Sequence, residues 1–125
     1  MSAEKPRVLL ADDEFHMRAF IATLLKKIDC EVVGQATNGA EAVALYREKK
    51  PDLLLLDVNM PVKTGLEALQ EICAECPNAR IVMLTSVVDE QQVTQCIAAG
   101  ASNYIRKDSP VAAIQAMISE TLQTK

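Results

Sequence analysis

PDLLLLDVNMPVKTG, residues 51–65, decides the fold. Four leucines, Leu53 to Leu56, run directly into Asp57. Pro51 bounds the run on one side, and Pro61 and Gly65 bound it on the other. An uninterrupted apolar run of this length reads as a strand buried on both faces. Strand three is therefore placed at 52–56, with Asp57 at its carboxyl end. Four further segments fit the same pattern. RVLLA (7–11) reads as strand one and ends in Asp12-Asp13, and RIVMLT (80–85) reads as strand four and ends in Thr85. CEVVGQA (30–36) is a weaker second strand whose internal Gly34 suits a sheet edge. SNYIRK (102–107) is a short fifth strand ending in Lys107.

Helical periodicity fills the intervals. From Glu14 to about Ile28, the residues Met17, Phe20, Ile21, Leu24, Leu25 and Ile28 recur at helical spacing. Lys26 and Lys27 complement the dipole at that helix's carboxyl end. Asn38 with Glu41 matches a capping box opening a helix to about Lys49. Thr64 with Glu67 matches another, opening a helix that Pro77 closes. Asp89 opens a fourth helix with Val93, Cys96 and Ile97 on one face, and Gly100 fits its left-handed cap. Ser109-Pro110 opens a fifth helix running to about Leu122, with Val111, Ile114, Met117, Ile118 and Leu122 as its inner stripe. Strict alternation predicts an α/β, (βα)5 doubly wound sheet of five parallel strands, with right-handed crossovers and helices on both faces.

The bulk numbers narrow the classes. A length of 125 residues suits one domain spanning 1–125, with no output domain expected in this chain. A net charge of −4 and a pI near 5.0 argue against a nucleic-acid surface, as do only four aromatic residues (Phe15, Phe20, Tyr46, Tyr104). No apolar run approaches the roughly 20 residues of a membrane span. MSAEKPR lacks the apolar core of a signal peptide, so a cytoplasmic protein without membrane insertion is expected. Cys73 and Cys76 form a lone CxxC late in a predicted helix. Without further ligands or a helix-start position they read as ordinary helix residues. His16, the only histidine, reads as an exposed residue of the first helix.

The chemistry collects at the strand ends. In a parallel sheet, Asp12, Asp13, Asp57, Thr85 and Lys107 all fall on one edge and can converge, and open α/β sheets bind ligands there. Packed carboxylates repel one another and raise one another's pKa, which a hard divalent cation such as magnesium relieves. Lysine adds a point charge suited to phosphate and threonine a hydroxyl donor. Together these residue types suit an aspartyl-phosphate centred on Asp57.

The Asp12-Asp13 pair followed by Arg18, the D-x-x-M-P-x-x-x-G stretch from Asp57 to Gly65, Thr85 in MLTS, and AAGASNYIRK from Ala98 to Lys107 carry a resemblance. End to end, the chain resembles a response-regulator receiver domain of two-component signalling, of the single-domain chemotaxis type. The resemblance implies a flavodoxin-like strand order 2-1-3-4-5. It also implies that Asp57 accepts a phosphoryl group from a sensor histidine kinase or histidine phosphotransfer protein. Mg2+ (or Mn2+) would be held by Asp12, Asp13, Asp57 and the backbone carbonyl of Asn59, and Lys107 would contact the phosphoryl group. Thr85 would move toward the phosphate and Tyr104 would swing inward. The face formed by helix four, strand five and helix five would change, and a downstream protein would dock there. Asn59 and Val87, two residues past Asp57 and Thr85, would set phosphoryl lifetime. Such a domain catalyses only its own phosphorylation and dephosphorylation. Where many relatives carry Lys-Pro, this chain has Lys107-Asp108.

Three other readings have discriminating features. A receiver cut from a larger transcriptional regulator would share every motif above. A magnesium-dependent aspartyl-phosphate hydrolase of the haloacid-dehalogenase type would want D-x-D after strand one and an inserted cap; the chain has Asp12-Asp13-Glu14 and no room for a cap. A flavodoxin-like carrier would want a hydroxyl- and glycine-rich loop where these acids stand.

Overall fold

The computed structural model describes residues 5–86 and 89–123. Ten elements alternate without exception: β1 (Arg7–Ala11), α1 (Phe15–Lys27), β2 (Glu31–Ala36), α2 (Gly39–Lys49), β3 (Leu53–Asp57), α3 (Gly65–Glu75), β4 (Ile81–Thr85), α4 (Glu90–Ala99), β5 (Asn103–Arg106) and α5 (Val111–Gln123). The sheet is parallel throughout, in the order β2-β1-β3-β4-β5. The alternation and the parallel sheet follow the sequence pattern, and the flavodoxin-like strand order is the one the family resemblance implied.

The leucine run explains why the sheet is covered on both sides. Successive strand residues point to opposite faces, so Leu54 and Leu56 pack on one side while Leu53 and Leu55 pack on the other. Leu9, Ala11, Ile81 and Met83 join the first pair beneath α2, α3 and α4. Val8, Leu10, Val82, Leu84 and Ile105 join the second pair beneath α1 and α5. All of β3 and all of β4 are buried. β2 lies at the edge, as Gly34 suggested. Its register with β1 slips between Val8 and Leu9, so Val33 is left without a partner in the ladder.

Helix ends follow their sequence signals with small departures. Thr64 and Glu67 form the complete capping box. At α2 only half forms: the Asn38 side chain accepts from the Glu41 N–H, while Glu41 turns back to the Thr37 N–H and hydroxyl. Asp89 accepts from the Gln91 and Gln92 amides, and Gly100 takes the left-handed cap at φ 117°. Strand three runs one residue further than its apolar core, so Asp57 is its last residue. Cys76 forms the C-cap of α3, and all four cysteines are free thiols.

Candidate functional site

Parallel strands deliver Asp12, Asp57, Thr85 and Lys107 to one edge, as the sequence predicts. Burial distinguishes them from surface charge: Asp12 and Asp57 are 3% exposed, Thr85 1% and Lys107 9%. The Lys107 amide donates to the Thr85 carbonyl at 2.7 Å, which holds the loop after β5 against the end of β4. The Lys107 ammonium then lies 2.7 Å from Asp12 Oδ2, 3.2 Å from Asp57 Oδ1 and 3.7 Å from Glu14 Oε1.

Asp12 is fixed on three sides. Its amide donates to the Ala36 carbonyl at 3.0 Å, its Oδ1 accepts from the Glu14 amide at 2.8 Å, and its carbonyl accepts from Arg18 Nη1 at 2.7 Å. Its Oδ2 is different. Lys107 is close enough for strong Coulomb attraction but out of hydrogen-bonding alignment, so this buried oxygen has no hydrogen-bond partner. A buried acceptor in that condition is costly unless another electropositive group completes it.

Burial, followed by the neighbouring Asp12 charge, pushes the Asp57 carboxyl up to about 6; Lys107 and the Asn59 N–H, 3.4 Å from Asp57 Oδ1, pull the other way without cancelling it. For Lys107, burial favours the neutral amine, but Asp12 and Asp57 outweigh it and hold the ammonium above its ordinary range. The pocket therefore carries one firmly held positive charge against more than one carboxylate.

Asp12, Asp13 and Asp57 each present an oxygen, all within 4.8 Å of one another. Oxygen-only donors of this kind suit a hard divalent cation, Mg2+ or Mn2+. The fit rests on this oxygen-only donor set and on Asp12 Oδ2, a buried acceptor ion-paired with Lys107 but without an aligned hydrogen bond. The two aspartates after β1 differ: Asp12 is buried against Lys107, while Asp13 is exposed, does not cap α1 and pairs with no lysine among the described residues.

The wall of the site is built by the turn after β3. The Gly65 amide donates to the Val58 carbonyl at 2.8 Å, and a Cβ on Gly65 would stand 2.1 Å from the Asp57 carbonyl oxygen. Only glycine permits that approach. The Lys63 amide closes on the Pro61 carbonyl at 2.7 Å around Val62, whose φ of 68° is rare for a β-branched residue. The turn is tied to α2 by the Gly39 amide, 3.0 Å from the Lys63 carbonyl, and to α3 by the Lys63–Glu71 ion pair.

The remaining expected residues sit further out. Asn59 is exposed at the site's mouth. Tyr104 is half-buried on β5, and its hydroxyl donates to Gln92 Oε1 of α4 at 2.9 Å. Burial pushes its phenol up while the adjacent Thr85 hydroxyl pulls it down. His16 is exposed and meets Phe15 edge-on, with ring centroids 5.8 Å apart. Val87 lies outside the described residues. Sequence reasoning missed Glu14 as a third acid facing Lys107, although it directly follows the Asp12-Asp13 pair. It also missed Gln92 as the partner of Tyr104, for which the chain holds no local signal.

The raised Asp57 pKa has a thermodynamic consequence. The folded-state value of about 6 exceeds the ordinary 3.8, so the folded protein binds that proton more tightly than the unfolded chain. The associated stability is fully present below about pH 4 and is lost as pH rises through about 6. In EDTA, the stability of wild type relative to Asp57→Asn should therefore fall across that window in urea denaturation. A divalent cation held by these carboxylates would have to displace the proton, so Mg2+ should then stabilise wild type more at pH 7.5 than at pH 5. An equal Mg2+ effect at both pH values would contradict this.

Comparison with known proteins supplies four findings. The sequence profile of the response regulator receiver domain matches residues 8–119. The chain is 41% identical over 101 residues to the chemotaxis protein CheY of Thermotoga maritima, covering 81% of this chain and 84% of that protein. It is 37% identical over 116 residues to CheY of Halobacterium salinarum, covering 93% and 96%. Among solved structures, the CheX-CheY-BeF3-Mg complex of Borrelia burgdorferi aligns with a TM-score of 0.90 at 26% identity, over 94% of this chain and 90% of that one.

Proposed function

The chain belongs to the response regulator receiver domain family, and on that premise we propose that Asp57 accepts a phosphoryl group from a sensor histidine kinase or histidine phosphotransfer protein. The observation that carries this reading is the buried Asp57 carboxylate 3.2 Å from the buried Lys107 ammonium, with Asp12 and Asp13 alongside. An Asp57 carboxylate oxygen attacks phosphorus in line, the phosphorus–nitrogen bond of the donor phosphohistidine breaks, and its electron pair returns to the imidazole. Asp12, Asp13, Asp57 and the Asn59 carbonyl would hold Mg2+ or Mn2+, which would supply charge neutralisation for the transferring group. Lys107 supplies the second positive charge from its fixed place beside Asp57 Oδ1. The domain is a signalling switch and does not turn over an external substrate.

Readout runs through Thr85 and Tyr104. A phosphoryl oxygen draws the Thr85 hydroxyl away from the Tyr104 phenol. The ring then moves inward, giving up its hydroxyl contact with Gln92 on α4. The population shifts toward a second arrangement of the α4–β5–α5 face. That face exposes Ile97 at 47% and Val111 at 41%, apolar surface fit for a downstream protein partner. Incubation with acetyl phosphate and Mg2+ tests the reading: one phosphoryl adduct should appear by mass spectrometry, and none should form when EDTA replaces Mg2+. An unmodified protein under both conditions would overturn it.

Asn59 and Val87 are assigned to phosphoryl lifetime. An apolar side chain at 87 cannot orient an attacking water as a carboxylate can. Val87→Glu is expected to speed loss of the adduct, followed by its decay after the donor is removed. An unchanged decay rate would remove Val87 from that role.

A further inference from the structure

The two aspartates that follow β1 are held in different ways. Asp12 has its amide bonded to Ala36 and its Oδ1 bonded to the Glu14 amide, so its side chain is oriented locally. Asp13 is exposed, and no side-chain hydrogen bond or ion pair among the described residues orients it. Its direction is inherited from the backbone, and the peptide plane joining Asp12 to Asp13 is rigid. The carbonyl oxygen of that plane accepts from Arg18 Nη1 at 2.7 Å.

Arg18 is itself held in place. Its amide begins the helical ladder by bonding the Glu14 carbonyl at 3.1 Å, its Nε donates to Gln35 Oε1 at 3.2 Å, and its guanidinium carbon lies 5.9 Å from the Phe15 ring centroid. A planar guanidinium anchored at Nε presents Nη1 in a fixed direction. We infer that Arg18 is a positioning residue for the divalent-cation site: by clamping the Asp12 carbonyl it sets the Asp12–Asp13 peptide plane, and so holds Asp13 within reach of the oxygens of Asp12 and Asp57. The inference rests on the reading of this cluster as a Mg2+ site. It adds a residue that touches neither the cation nor the phosphoryl group. Groups that orient metal ligands from behind commonly change affinity by about tenfold or more when removed.

Calorimetric titration of Mg2+ into the full-length protein, with no phosphodonor present, is the test. Arg18→Gln removes the donor and should weaken Mg2+ affinity about tenfold. The maximal rate of phosphorylation by acetyl phosphate should return at saturating Mg2+, so the defect appears in the Mg2+ concentration needed and not in the limiting rate. Arg18→Lys, which keeps the charge but loses the directed fork, should also bind Mg2+ more weakly than wild type, and it serves if Arg18→Gln does not fold. Gln35→Ala removes the Nε anchor but keeps the Nη1 donor, and should weaken Mg2+ affinity by less than Arg18→Gln does. Wild-type affinity in Arg18→Gln, wild-type affinity in Arg18→Lys, or equal weakening in Gln35→Ala would each overturn the inference while leaving the phosphoacceptor reading intact. A wild-type protein that takes up no Mg2+ would overturn the reading of the site, and this inference with it.

Discussion

Lys107→Ala is expected to destabilise the metal-free protein at pH 7.5 by about 3 kcal/mol, because it leaves buried carboxylates without their counter-charge. Lys107 is 9% exposed and stands 2.7 Å from Asp12 Oδ2 and 3.2 Å from Asp57 Oδ1. Asp57 already holds its proton up to about 6 with the lysine present. Without it the proton is held more tightly still, so the loss of stability should shrink as pH is lowered. Mg2+ can replace the missing charge, and the variant should therefore gain more stability from Mg2+ than wild type does. Urea denaturation with EDTA and with Mg2+ reads both effects. On the proposed function, the variant should still accept some phosphate while signalling poorly, since it would keep Asp57 and the carboxylate cluster and lose the cation proposed to meet the phosphoryl group. A variant as stable as wild type in EDTA would mean that the ion pairs at this edge do not hold the site together.

Gly65→Ala carries the second large effect, and it acts through the backbone. The added Cβ would lie 2.1 Å from the Asp57 carbonyl oxygen and 2.8 Å from the Val58 Cα, neither of which can rotate aside. Either the turn or the end of β3 must shift, at a cost of about 3 kcal/mol. A displacement of about 1 Å in Asp57 would slow phosphoryl acceptance by roughly a hundredfold. Gly34→Ala is the control. Its new Cβ meets the Leu9 Cδ1 methyl at 3.1 Å, at the end of a side chain that can adjust. Its effect in urea denaturation and in the rate of adduct formation should be small. Equal losses in the two variants would show that the backbone approach at Gly65 is not special to the site.

The ease of reading this fold from its sequence comes from β3. Four leucines in a row can be buried only by a strand covered on both faces, and the structure divides them alternately between the two cores. Once that strand is central and parallel, the acids and lysine at the other strand ends must share its edge. The edge position of β2 was equally legible, because Gly34 weakens a strand that few neighbours support. What escaped the sequence depended on side chains meeting across elements. Nothing local distinguishes Asp12 from Asp13, yet only Asp12 is buried against Lys107. Glu41 fits a capping box by spacing, but the Thr37 hydroxyl one residue before the cap captured its carboxylate. The bond from Tyr104 to Gln92 joins β5 to α4, and the ion pairs of Arg47 with Glu71 and Glu75 join α2 to α3. Each is set by how a helix docks, not by spacing along one.

The most direct test locates the phosphoryl group. After reaction with acetyl phosphate and Mg2+, borohydride reduces an acyl phosphate to an alcohol, converting a phosphorylated aspartate to homoserine. Peptide mass mapping should find homoserine at position 57 in wild type and none in Asp57→Asn or in protein treated with EDTA. Homoserine at 12 or 13 with 57 intact, or an adduct that persists in Asp57→Asn, would contradict the assignment of Asp57 as the acceptor.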